Sequence, residues 1–248
     1  MTEKVLRMWQ GLLQWPRVFA LVLGALSATA YPPLGLWPAG LVGVAAFIAL
    51  LRAAESGKAA ALLGWCFGFG HLTLANNWIA TAFTFQSEMP VFLGWLAVPL
   101  LCIYLAIYPA LAALAVHVIA RRGTMTVFTC VFAGTWIVAE WLRSWVFTGY
   151  PWPPLGLMLL GDFDSPGIAL LLPWLGTYAL SGAVILIAGL PIAFWSMGRV
   201  RMLSFAVALS VAAAMLFPAA RYVNDEGTVP FMLVQPLIPQ EERDDPTK

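Results

Sequence analysis

Glu140-Trp-Leu-Arg-Ser-Trp-Val-Phe-Thr-Gly-Tyr-Pro-Trp-Pro-Pro-Leu-Gly156 ends one long apolar run and begins a turn crowded with aromatics and prolines. It sets a carboxylate, Glu140, and a guanidinium, Arg143, at i and i+3, which puts them on one helix face. Charge at membrane depth is costly, so such a pair either neutralises itself or meets a ligand. The simpler reading is an internal ion pair that lets the helix end without showing charge to lipid. The sharper one has Arg143 reach a phosphate, for which a planar guanidinium is geometrically suited. Tyr150-Pro151-Trp152-Pro153-Pro154 then reads as a rigid turn at the membrane surface, because proline fixes the backbone and Tyr and Trp favour the interface.

Composition places the whole chain in the same setting. Apolar residues make up 61% of the 248, charged residues 10%, and the mean hydropathy is +0.85. A soluble domain carries charge on roughly a quarter of its residues. An all-α polytopic membrane bundle follows. A net charge of +1 without a basic cluster gives no footing for nucleic acid. Cys66, Cys102 and Cys130 are odd in number and each lies in an apolar run, so the sequence implies no disulfide framework, no metal site and no cofactor.

A crossing needs about 17–25 residues. Seven windows read as crossings, near 13–31, 37–52, 59–77, 91–119, 124–143, 174–196 and 201–219. The fourth contains Pro99 and Pro109 and is expected to kink or tilt. Residues 166–175 read as a short interfacial piece. With the N-terminus in the cytoplasm, the inner side holds Lys4, Arg7, Arg17, Arg52, Lys58, Arg121, Arg122, Arg199 and Arg201. The outer side holds only Arg143, Arg221, Arg243 and Lys248, which is the asymmetry expected of an inner loop set. Seven crossings then carry the C-terminal segment outside. Ala28-Thr29-Ala30 has the small residues of a signal-peptidase site, but Tyr31-Pro32-Pro33 follows at once and argues against cleavage.

Within the spans, Gly64 and Gly68 form a small-xxx-small pair suited to close helix packing, and Gly70 extends the groove. Asn76, Asn77 and Trp78 follow at the outer end, where Asn77 and Trp78 are candidates to face a headgroup. His71 lies one turn inward and reads as a hydrogen-bonded structural residue with no evident partner. Asp162 and Asp164 read as solvated turn residues, since two carboxylates do not make a metal site.

The chain divides at about residue 221. Residues 1–221 are the helical domain. In 222–248 the polarity rises, Val229–Gln235 reads as a short buried strand with Pro230 near its start, and a charged run follows. A lone strand cannot fold unaided, so 222–248 is expected to be a linker and the first strand of a further domain.

Four collinear segments resemble the apolipoprotein N-acyltransferase family. They are Gly24 to Trp37 with Tyr31-Pro32-Pro33, Gly64–Gly70 with Asn77-Trp78-Ile79, Glu140 to Trp152, and Leu233-Val-Gln-Pro-Leu-Ile-Pro-Gln240. Leu237 departs from the family, which usually has a polar residue there. The resemblance implies an inner-membrane enzyme that moves an acyl chain from phospholipid to the α-amine of a lipoprotein's diacylglyceryl-cysteine. It also implies a periplasmic nitrilase-like domain carrying a catalytic glutamate, lysine and cysteine, of which the strand at 229–235 would be the first. No residue of this sequence matches those three. Glu241 and Glu242 come too early, and the three cysteines lie in spans where burial suppresses reactivity. The 248 residues alone are therefore expected to be inactive, as a fragment, a prematurely ended chain or one half of a split enzyme with a separate catalytic domain. On this resemblance Glu140, Arg143, Tyr150, Trp152, Asn77 and Trp78 are the residues expected to meet the phospholipid donor or the lipoprotein precursor. The rival from another class is a transporter or a lipid-binding scaffold. It is disfavoured because no internal repeat is visible and the clearest charged pair sits at a helix end rather than mid-span.

Overall fold

The computed structural model describes residues 14–85, 90, 92–147, 149–161, 166–198, 200–217 and 232. The helices are α1 (Pro16–Ala28), α2 (Trp37–Arg52), α3 (Gly57–Ala75), the short α4 (Trp78–Ala82), α5 (Phe92–Leu105), α6 (Ile107–Ala120), α7 (Met125–Trp145), the single-turn α8 (Leu172–Leu175), α9 (Thr177–Ser196) and α10 (Arg201–Leu216). Three 3-10 turns, Phe83–Phe85, Leu155–Leu159 and Gly167–Leu171, shape the connections. No strand occurs among the described residues. The strand expected at 229–235 lies outside them apart from Met232, and Asp162 and Asp164 lie outside them as well.

Each of the seven apolar windows carries a helix, but not all are of spanning length. Phe92–Ala120, Met125–Trp145 and Thr177–Trp195 are long and apolar enough to cross a bilayer. Pro16–Ala28, Trp37–Arg52 and Arg201–Leu216 are apolar but shorter, at 13, 16 and 16 residues. At 19 residues α3 has the length, but four glycines, Lys58 and His71 dilute its apolar character.

Local chemistry sets the boundaries. α1 and α2 begin with proline in the first turn, where its missing N–H would be unbonded anyway. α3 and α7 are capped by the hydroxyls of Ser56 and Thr124, which accept from the N–H groups of Ala59 and Val127. The fourth window breaks at Ala106 into α5 and α6, because Pro109 has no N–H to offer the Leu105 carbonyl. Hydrogen bonding resumes on either side, from Ala106 N–H to Cys102 and from Ala110 N–H to Ala106. Within residues 166–175, expected as an interfacial piece, Gly167–Leu171 form the 3-10 turn and Leu172–Leu175 form α8. Gly176, at φ +76°, separates α8 from α9 in a conformation costly for a residue with a side chain.

The helices close into a ring in the order α1, α3, α6, α7, α9, α2 and back to α1, with α5 against α3 and α10 against α9. Phe47 and Phe67 stack at 4.1 Å between centroids at its centre, and Phe132 and Trp136 complete the aromatic core from α7. In lipid, helix association depends on contact packing more than on apolar burial, so glycine sets how near the backbones come. Gly64 and Gly68 face α6: a Cβ on Gly64 would stand 2.5 Å from the Ala113 Cβ, and one on Gly68 would stand 2.6 Å from the Pro109 ring. Gly70 does not extend that groove. It lies two residues, and so about 200°, further round the helix, and meets the Leu21 carbonyl of α1, as Gly24 of α1 meets the Phe67 carbonyl. α3 is thus sandwiched between α1 and α6 by glycines on opposite faces. Gly64→Ala and Gly70→Ala are each expected to lower stability by about 1–3 kcal/mol through overpacking, measured as earlier thermal unfolding in detergent micelles.

Candidate functional site

At the end of the bundle where α7 stops, the chain runs from Gly149 to Leu160 over the tops of the helices. Pro151, Pro153 and Pro154 have no N–H groups, so before the 3-10 turn at Leu155–Leu159 this segment has few donors of its own. Its buried backbone groups must find partners elsewhere. Side chains supply them at four consecutive positions. Arg143 Nη2 donates to the Pro153 carbonyl at 3.2 Å, and the Tyr31 hydroxyl donates to the Pro154 carbonyl at 2.9 Å. Leu155 N–H donates to Glu140 Oε1 at 2.8 Å, and Gly156 N–H donates to Ser181 Oγ at 2.9 Å. Those side chains come from α7, the α1–α2 connection and α9.

Glu140 and Arg143 are each 2% exposed, far inside for charged residues. Their nearest approach is 3.7 Å, from Nη2 to Oε1. Oε1 also accepts from the indole N–H of Trp136 at 2.9 Å, which carries the link down into the aromatic core. Glu140 Oε2 and Arg143 Nε have no hydrogen-bond partner among the described residues. Two charges are therefore buried at a position where each holds the other and both hold the turn.

A second chain of bonds comes from α3. His71, 2% exposed, has Nδ1 at 2.6 Å from Ser27 Oγ and Nε2 at 2.9 Å from the Tyr31 hydroxyl. The Ser27 hydroxyl also reaches the Gly24 carbonyl at 2.6 Å. The imidazole lies parallel to Phe67, with Tyr31 edge-on at 5.3 Å. These are the partners that sequence spacing could not name, because Ser27 and Tyr31 are 44 and 40 positions from the histidine.

The remaining candidates sit at the same end with different exposures. Tyr150 is exposed and Trp152 half-buried, their rings 4.8 Å apart. Trp152 adopts φ +50°, unusual for a residue of its size, and packs against a second apolar cluster of Leu72, Ala80, Val98, Cys102 and Leu105. Asn77 and Trp78 are both exposed at the start of α4. Asn76 beside them is fully buried and donates its side-chain amide to the Leu72 carbonyl at 2.9 Å. Among the described residues no three His, Cys, Asp or Glu side chains cluster in a metal-binding arrangement. Sequence reading missed Ser27, Tyr31, Trp136 and Ser181 as members of this cluster. The signal available was the number of buried carbonyls that a proline-rich turn leaves unmet.

Removing one partner is expected to cost in proportion to what it strands. Tyr31→Phe and Ser181→Ala each lower stability by about 1 kcal/mol. Glu140→Leu lowers it by about 3–5 kcal/mol, since it leaves the Arg143 charge buried alone. The Glu140→Leu/Arg143→Leu double variant is expected to lose less than Glu140→Leu, which thermal unfolding of the three proteins measures directly.

Comparison with known proteins bears on the whole arrangement. The sequence profile described as apolipoprotein N-acyltransferase N-terminal domain matches residues 23–190. Apolipoprotein N-acyltransferase of Shewanella oneidensis is 29% identical over 227 residues, covering 90% of this chain and 42% of that protein. The Methylococcus capsulatus protein of the same name is 29% identical over 233 residues, or 91% of this chain and 44% of that protein. The Caulobacter vibrioides protein is 32% identical over 197 residues, or 78% of this chain and 35% of that protein. This chain spans less than half the length of each of these relatives. The match takes in the glycine-packed helices, the buried Glu140–Arg143 pair and the clamped turn, and the chain belongs to the apolipoprotein N-acyltransferase N-terminal domain family.

Proposed function

We propose that this chain is the membrane-embedded part of an enzyme that transfers an acyl chain from a phospholipid to the α-amine of the N-terminal diacylglyceryl-cysteine of a lipoprotein precursor. The observation that carries this reading is the turn at 150–156, which presents Tyr150 and Trp152 at one end of the bundle and is held by four side chains beneath it. A rim that keeps its shape is what two lipid-bearing substrates need if they are to meet in a fixed geometry. In this reading all seven windows cross the inner membrane, the N-terminus is cytoplasmic, and residues 222–248 emerge in the periplasm as the start of a nitrilase-like domain. The excess of Lys and Arg on the opposite face supports that orientation. Arg143 acts through the turn it positions, while Tyr150, Trp152, Asn77 and Trp78 offer surface to headgroups.

The chemistry implied is covalent. A thiolate attacks the phospholipid ester carbonyl, the C–O bond breaks, and a lysophospholipid leaves with the acyl group held as a thioester. The lipoprotein amine then attacks that thioester and the C–S bond breaks. A glutamate base and a lysine facing the developing oxyanion complete such a site. Cys66, Cys102 and Cys130 belong to α3, α5 and α7 of the bundle, and none belongs to a metal-binding group of three or more His, Cys, Asp or Glu side chains among the described residues. In this reading the thiolate, glutamate and lysine belong to the nitrilase-like domain that residues 222–248 begin.

The test uses the purified chain in nanodiscs containing alkyne-tagged phosphatidylethanolamine. The expected result is retained phospholipid and no hydroxylamine-sensitive label on any cysteine. A thioester on Cys66, Cys102 or Cys130 overturns the assignment of the nucleophile. Solute flux through liposomes holding the chain overturns the acyltransfer reading in favour of a transporter.

A further inference from the structure

Glycine within a helix costs stability relative to alanine, so its presence calls for a reason. Every other glycine inside a described helix has one, because a Cβ there would stand 3.0 Å or closer to a neighbouring atom. Gly134, in the middle of α7, is different: a Cβ built on it meets nothing within 4 Å. Its missing side chain makes room for something that is not part of the bundle.

That room is a groove of about 240 Å³ between α6 and α7, on the outward face of the ring. Gly134, Ala112 and Ala115 form its floor, and Leu111, Val138 and Leu142 line it further. Leu111 and Val138 are about half exposed. The one polar side chain lining it, Thr135, already donates within the protein, its Oγ1 lying 3.2 Å from the Ala112 carbonyl and 3.1 Å from that of Phe132. An occupant would therefore find no hydrogen-bonding group in need of a partner and must be apolar throughout.

Depth identifies the occupant further. Both walls belong to stretches long and apolar enough to cross a bilayer. From Gly134 to Leu142 the helix rises about 12 Å, close to half of a hydrocarbon core about 30 Å thick. Level with Leu142 stands Trp141 and one turn beyond it Trp145, both exposed and edge-to-face at 5.4 Å, as residues at a lipid–water interface do. A slot that is apolar, one leaflet deep and closed by interfacial tryptophans fits a single alkyl chain. A helix about 10 Å across would need a broader face than a groove rimmed by Leu111, Val138 and Leu142. We infer that the groove between α6 and α7 holds one acyl chain of a bilayer phospholipid, drawn from the leaflet at the Trp145 end. The inference is independent of the acyltransfer reading, because a lipid held on this outward face need not be a substrate.

The test is photo-crosslinking of the full chain in nanodiscs whose phosphatidylethanolamine carries a diazirine on one acyl chain. Cross-links are expected to concentrate on residues 111–115 and 134–142, above those on Val22, Met202 and Leu209, which are as exposed as Leu111 or more so. Gly134→Leu fills the floor and is expected to lower the yield at those positions about ten-fold, the affinity equivalent of losing burial of about two methylene groups. Ala115→Leu, from the opposite wall, is expected to do the same, so a variant that fails to fold does not decide the question. Cross-links spread evenly over the outward face, or an unchanged yield in whichever variant folds, overturn the inference. A wild-type dimer that either substitution converts to a monomer assigns the groove to a second copy of the chain and overturns it equally.

Discussion

Pro153 and Pro154 have no N–H to give, and that deficit organises one whole end of the molecule. A segment so poor in donors leaves backbone groups to be met from outside, beyond the Leu157 N–H that reaches the Pro154 carbonyl at 3.1 Å, and buried carbonyls cannot be left to hydrocarbon. The bundle answers with side chains: Arg143 and Tyr31 for the two proline carbonyls, Glu140 and Ser181 for the two N–H groups that follow. Because the partners come from α7, the α1–α2 connection and α9, the turn can keep its shape only while those elements keep their places. The converse also holds, since Glu140 and Arg143 are tolerable at 2% exposure only with the turn and each other as partners.

The same logic runs down into the apolar centre. Tyr31 touches His71, His71 lies parallel to Phe67, and Phe67 stacks on Phe47. From α7, Trp136 joins Glu140 to that aromatic group. Polar cluster and core are thus one continuous packing unit. It rests on the close approach of α3 to α1 and α6 that Gly24, Gly70, Gly64 and Gly68 permit. At the far end Arg52 does comparable work on a smaller scale, donating to the carbonyls of Arg121 and Gly123 while lying 5.3 Å over the Phe128 ring. Two helix connections at opposite ends are tied by guanidinium groups, whose several donors suit them to carbonyl clusters.

Much of the fold was legible in the residues. Windows of apolar sequence located every helix of the ring, because a helix in lipid must be apolar over its length whatever its neighbours are. Pro109 marked the break in the fourth window for an equally local reason. Reading the cluster was harder. Glu140 and Arg143 drew notice as charges out of place, but their partners on the turn and in Trp136 were not named, and Ser27, Tyr31 and Ser181 are ordinary residues until His71 or a bare N–H stands beside them. Gly70 shows the opposite failure: counting small residues put it in the groove with Gly64 and Gly68, while helix rotation carried it to the other face.

By itself the sequence determined that this chain is a helical membrane protein, where its helices run, and which family it joins, because hydropathy, proline and motif order are properties of the chain read in line. Only the tertiary structure decided which helices touch, that the Glu140–Arg143 pair is buried under a turn rather than open to the surface, and that Gly134 faces empty space while the other helix glycines face protein. Those are facts about what stands opposite a residue, across tens of positions of chain, and no local rule of hydropathy or propensity contains them.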